Sequence, residues 1–130
     1  MNRTETICIR IASDIATASR TARQAAEQAG FDRTSSYQIA TAAAELACNV
    51  LVHGGGGMVT VCAPSHRSGV ELLATDSGPG IADLGLAMQD GYSSTGSLGC
   101  GLSGVERLMD EVVIETGVGT GTTVRASKWR

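Results

Sequence analysis

Apolar and polar positions alternate along the chain in a way that separates short strands from two longer helices. Ile7, Ile9 and Ile11 fall on one face of the segment from Thr6 to Ile11, the two-residue period of a half-buried strand. Ser13 and Asp14 read as the cap of a helix that runs through Gln24-Ala-Ala-Glu27 and stops at Gly30. A second helix starts at Asp32 or Thr34 and ends in the glycine run from Gly54 to Gly57. On it Ile39, Ala43, Leu46 and Val50 recur at i, i+4, i+7 and i+11, a stripe that predicts the buried face.

Beyond the glycine run the period changes. Met58 to Ala63 and Val70 to Thr75 predict two strands of a hairpin, the second nearly all apolar until Asp76 interrupts it. Asp83 to Gln89 reads as a short helix, residues 91–101 as a glycine- and serine-rich loop, and Leu102 to Met109 as another helix. Glu111 to Thr116 and Thr122 to Lys128 predict a closing hairpin. Strands grouped in hairpins, with helices between them, imply an α+β fold. The expected form is a two-layer α/β sandwich, its mostly antiparallel sheet covered by helices on one face. The length of 130 residues suits one domain spanning 1–130.

Composition narrows the chemistry. Aromatic residues make up only 3%, so the core must be built from Ala, Val, Ile and Leu. The net charge of −3, with no basic run, argues against a nucleic-acid partner. No apolar run is long enough to span a bilayer and no leader is evident, which points to a cytoplasmic protein without a membrane partner. The four scattered cysteines are expected to be reduced and mostly buried. Among ten cationic residues only Lys128 is a lysine. A Walker A loop or a strand lysine on nucleotide phosphates therefore cannot be built, and any nucleotide must be held mainly by backbone amides and a metal ion.

Four short stretches carry candidate chemistry. Glu45, Asn49 and His53 lie four residues apart on the second helix, about a quarter-turn from its apolar stripe. At the margin of the buried face, Asn49 could supply an oxygen to magnesium and Glu45 could take a proton from a hydroxyl. The same spacing also suits a solvated helix face, and His53 also suits the helix dipole. Asp76 ends a buried strand ahead of Gly78 and Gly80, where a carboxylate could fix the adenine amine while glycines admit the base. An ordinary turn aspartate has the same look. Gly99-Cys-Gly101-Leu-Ser-Gly104 matches a dinucleotide fingerprint, but no apolar strand precedes it and no acid follows at the required distance. It reads instead as a glycine turn opening a helix, whose amides suit phosphate. Thr122 follows a glycine at the start of the last strand, where it could assist Asp76.

Together Glu45-x-x-x-Asn49, Asp76-x-Gly78-x-Gly80, Gly96-x-x-Gly99-x-Gly101 and Gly121-Thr122 resemble the four boxes of the GHKL superfamily, whose domains have the Bergerat ATP-binding fold. The segment from Asp90 to Glu111 narrows the resemblance to the bacterial stressosome switch kinases, RsbT-type serine/threonine kinases related to anti-sigma factors. The resemblance implies Glu45 as catalytic base, Asn49 as Mg²⁺ ligand and Asp76 as adenine contact. It further implies that Gly78 and Gly80 shape the base pocket, that Gly99 and Gly101 meet the phosphates of ATP, and that Thr122 assists Asp76. The implied partners are STAS-domain scaffold proteins as substrates and a PP2C-type phosphatase activated afterwards. The implied alternative is an anti-sigma factor that sequesters a sigma factor. Cys48 stands where a basic residue is expected in such relatives.

Overall fold

The computed structural model describes residues 3–76, 78, 101–117 and 121–130. Strand β1 (Arg3–Ile9) leads into helices α1 (Ala12–Gln28) and α2 (Arg33–Val52). Strands β2 (Gly57–Ala63) and β3 (Gly69–Asp76) follow, then α3 (Leu102–Leu108), β4 (Glu111–Gly117) and β5 (Gly121–Trp129). The expected helix at Asp83 to Gln89 and the loop before Gly101 lie outside the described residues.

The five strands form one sheet in the order β1-β2-β3-β5-β4. All four pairings are antiparallel. Side chains alternate across the sheet: Val59, Val61, Leu72, Ala74, Val124 and Ala126 are buried, while Met58 and Val113 stand exposed on alternate positions. The helices therefore pack on one face, as the two-layer sandwich requires. From α1 the core receives Ala18, Ala22 and Ala26, a small-residue stripe that lets α1 lie close to its neighbours. From α2 it receives the predicted stripe Ile39, Ala43, Leu46 and Val50, each no more than 1% exposed. Burial of a leucine such as Leu46 stabilises the fold by roughly 1.5–3 kcal/mol relative to exposure.

Helix starts are set by local carboxylates. Asp32 caps α2, its Oδ1 accepting from the Ser35 amide at 2.8 Å. At α1 the reading of Ser13 as cap is corrected. Ile11 holds that place, and Asp14 on the first turn accepts from the Arg10 and Ile11 amides at 2.8 and 3.0 Å. Ile11 is accordingly 61% exposed and does not extend the face of Ile7 and Ile9. The strand begins earlier and ends earlier than its apolar period suggests, because pairing with β2 runs from Arg3 opposite Ala63 to Ile9 opposite Gly57.

The register assembles the end of the sheet that matters below. Gly57 of β2 lies opposite Asp76 of β3, Asp76 opposite Thr122 of β5, and Thr122 opposite Thr116 of β4. Helix α2 ends beside this row, with His53 as its C-cap and Gly54 to Gly56 turning the chain into β2.

Candidate nucleotide site

Asp76 is the last residue of β3 and half-buried. Its Oδ1 accepts from the Gly78 amide at 2.9 Å, an Asx-type turn at the end of the strand. Thr122 sits beside it in the next strand, 5% exposed, with its hydroxyl 2.9 Å from that of Thr116. An acceptor pair and a hydroxyl pair thus line one end of the sheet. Asp76 and Thr122 are the two predicted residues that strand pairing brings side by side.

Glu45 and Asn49 occupy successive turns of α2. Asn49 is 6% exposed, and its side chain makes no hydrogen bond to another described residue. Its carbonyl accepts from the amides of His53 at 3.0 Å and Gly54 at 3.3 Å, closing the helix. Glu45 is half-buried, and its Oε2 accepts from the Gly101 amide at 2.9 Å. Gly101 is the N-cap residue of α3, so this bond ties the start of α3 to α2. Of the predicted residues, Gly80 and Gly99 lie outside the described ones.

Two groups at this end escaped the sequence reading. Thr116 partners Thr122 across the closing hairpin, a pairing that becomes visible only with the register. Gly54 abuts Asp76: a Cβ on Gly54 would overlap the Asp76 Cγ and lie 2.7 Å from Oδ2. The run of four glycines was the available signal, although it marked a turn and not a contact. Met58 to Ala63 was the predicted strand; the observed one includes Gly57, whose missing side chain lets the Thr75 carbonyl approach.

The single lysine is placed far from this row. Lys128 lies opposite Val70, towards the other end of β3, and its Nζ donates to the Leu108 carbonyl at 3.0 Å. Lysine therefore supplies no charge near Glu45. A cavity of about 470 Å³ also opens at that far end, lined by Arg3, Gln24 and Gln28 among others. Arg3 there is already bonded to Gln28 Oε1 at 2.6 Å, and no reactive side chains converge.

The cysteines depart from expectation. Cys8 is exposed and Cys62 half-buried, both free, on the face of the sheet that none of the described helices covers. Cys48, between Glu45 and Asn49, is disulfide-bonded. No described helix is long and apolar enough to cross a membrane.

Residues 11–128 match the pattern of the histidine kinase-like ATPase domain. The chain is 40% identical over 126 residues to the serine/threonine-protein kinase RsbT of Bacillus subtilis, covering 94% of this chain and 95% of that protein. It is 33% identical over 98 residues to the anti-sigma F factor of Geobacillus stearothermophilus, covering 70% and 67%. The anti-sigma F factor of Geobacillus thermodenitrificans is 34% identical over a stretch of the same length.

Proposed function

The chain belongs to the histidine kinase-like ATPase family, within it to the RsbT-like serine/threonine kinases, and from that premise we propose that it passes the γ-phosphoryl group of ATP to a serine or threonine of a STAS-domain protein. The observation that carries the reading is the direction of α2. Gly54, just past its C-terminus, touches Asp76, while Glu45 lies seven residues before its last residue Val52, about 10 Å along the axis at 1.5 Å per residue. A nucleotide whose base rests at Asp76 and Thr122 would lie along this helix, with its phosphates passing Asn49 and its terminal group at Glu45.

In this reading Asp76 accepts from the adenine amine, and Gly78 and Gly80 leave room for the base. Gly99 and Gly101 serve the phosphate end, where the Gly101 amide also orients the Glu45 carboxylate. Glu45 then takes the proton from the acceptor hydroxyl. For Mg²⁺ the donor set fits. Asn49 presents a carboxamide oxygen not engaged by another described residue, and no cage of three His, Cys, Asp or Glu side chains forms among the described residues. Such a cation takes one or two protein oxygens and completes its shell with phosphate oxygens and water. When bound it neutralises charge on the phosphates, which the lone distant lysine cannot do.

The work is thus positioning and charge neutralisation by a single domain spanning 1–130, acting in the cytoplasm on STAS-domain scaffold proteins. A PP2C-type phosphatase is the partner engaged after the scaffold is phosphorylated. The relatives named as anti-sigma factors favour a second reading, sequestration of a sigma factor with kinase activity towards its STAS antagonist. Incubation of the chain with ATP, Mg²⁺ and a candidate STAS domain, read by mass spectrometry, tests the transfer. An added phosphate that disappears with Glu45→Ala supports it; an unmodified acceptor, or an undiminished rate in the variant, argues against it. Co-purification with a sigma factor would select the second reading, and with a STAS scaffold or phosphatase the first.

A further inference from the structure

We propose that Gly54 is a specificity-determining position: the absence of a side chain there holds the Asp76 carboxylate where it can read the 6-amino group of adenine. This inference rests on the assignment of Asp76 as the adenine contact.

The backbone of Gly54 is pinned. Its amide donates to the carbonyls of Asn49 and Val50 at 3.3 and 3.1 Å, and Gly56 adds a bond to Val50 at 3.0 Å. A Cβ on Gly54 would overlap Asp76 Cγ and lie 2.5 Å from its Cβ and 2.7 Å from Oδ2, so it would meet the whole side chain. Gly78 packs against the same residue. A Cβ on Gly78 would lie 2.7 Å from the Gly54 carbonyl oxygen and 2.8 Å from its Cα. The Gly78 amide also holds Oδ1 at 2.9 Å. The carboxylate is thus bonded to one amide and packed against one bare α-carbon, and the two glycines that supply them abut each other.

Backbone conformation does not demand glycine at this position. The left-handed glycines of the turn are Gly55 and Gly56, at φ 72° and 117°, whereas Gly54 has no positive φ. The backbone therefore does not exclude alanine at Gly54; the three nearest atoms its Cβ would meet all belong to the Asp76 side chain. With alanine there the carboxylate must leave its rotamer and its bond to Gly78. The consequence is chemical. Adenine offers an amine donor to a carboxylate, whereas hypoxanthine offers a carbonyl oxygen that a carboxylate repels. A site built around such a bond discriminates strongly against the analogue without the donor, so the preference for ATP over inosine triphosphate reports where the carboxylate stands.

The test is calorimetric titration of the wild type, Gly54→Ala, Gly55→Ala and Asp76→Asn with ATP and with inosine triphosphate, in Mg²⁺. Gly54→Ala should lower the ATP preference at least about tenfold through weaker ATP binding, with inosine triphosphate binding retained. Gly55→Ala strains a left-handed residue that has nothing within 4 Å of its missing Cβ, and it should keep the wild-type preference. Equal weakening of both nucleotides in Gly54→Ala, or an unchanged preference, overturns the inference. Asp76→Asn separates the two levels. If it keeps the preference, the assignment of Asp76 fails and the inference with it; if it collapses the preference while Gly54→Ala does not, only the inference fails. Should Gly54→Ala not fold, the pair Gly54→Ala/Asp76→Gly decides. Recovered folding places the clash on the Asp76 side chain, and continued failure overturns the inference.

Discussion

The Gly101 amide donates to Oε2 of Glu45 at 2.9 Å, joining the start of α3 to the middle of α2 across 56 positions of sequence. One carboxylate oxygen is thereby oriented while the other is left for proton transfer. Orientation and basicity can be separated by substitution.

Glu45→Gln keeps an oxygen for Gly101 but cannot take a proton, so phosphoryl transfer should fall about 10²–10⁴-fold while ATP affinity stays near wild type. Glu45→Ala should lose transfer to the same degree and also leave the buried Gly101 amide unpaired, at a cost of about 1–3 kcal/mol. Single-turnover transfer from labelled ATP, with denaturant unfolding of both variants, checks the contrast. Equal stability of the two would show that the Gly101 bond contributes nothing.

Asn49→Ala removes the proposed oxygen ligand. Binding of ATP in Mg²⁺ should weaken roughly tenfold to a hundredfold, the size of one contact to a charged group. Binding of ATP in excess chelator should change little. Titration of each protein with and without the cation measures the difference, and an equal loss in both conditions would remove Asn49 from the metal site.

Acid should loosen the helix starts. The Ser35 amide holds the Asp32 carboxyl below its ordinary value of 3.8, and the Arg10 and Ile11 amides do the same for Asp14. A carboxyl lowered by folding contributes stability above its unfolded value, and that contribution is lost as pH falls through the folded value. Asp32→Ala should therefore be less stable than wild type at neutral pH and converge with it below about pH 3.8. Thermal melts across that range read the convergence.

Leu46→Ala empties the centre of the α2 stripe, where Leu46 is fully buried between helix and sheet. It should cost about 2–5 kcal/mol. The loss should be equal with and without nucleotide, since Leu46 faces the core and its neighbour Glu45 faces the site. Denaturant unfolding at both conditions measures it.

Much of this was legible along the chain. The α2 stripe, the Asp32 cap and both hairpins arise from interactions within a few residues, so local period and turn chemistry reveal them. Ile11 shows the limit. Its spacing from Ile7 and Ile9 fits a strand face, yet the ladder to β2 ends at Ile9 and a helix begins. The cysteines show another: a general preference of free thiols for burial suggested a buried place for Cys8 and Cys62, yet both alternate out of phase with the buried Ile9, Val59 and Val61 and lie exposed or half-buried.

By itself, the order of residues determined the kinds of element, the face of α2 that is buried, and the exclusion of lysine-based phosphate binding, because period and composition need no partner to be read. Only the tertiary structure decided that Thr122 stands beside Asp76, that Gly101 meets Glu45, and that Gly54 backs the aspartate. Those contacts depend on β5 inserting between β3 and β4 and on α2 running across the sheet towards its site end. Strand order and register are chosen by burial of the shared core, a property of the whole fold that no short window of sequence contains.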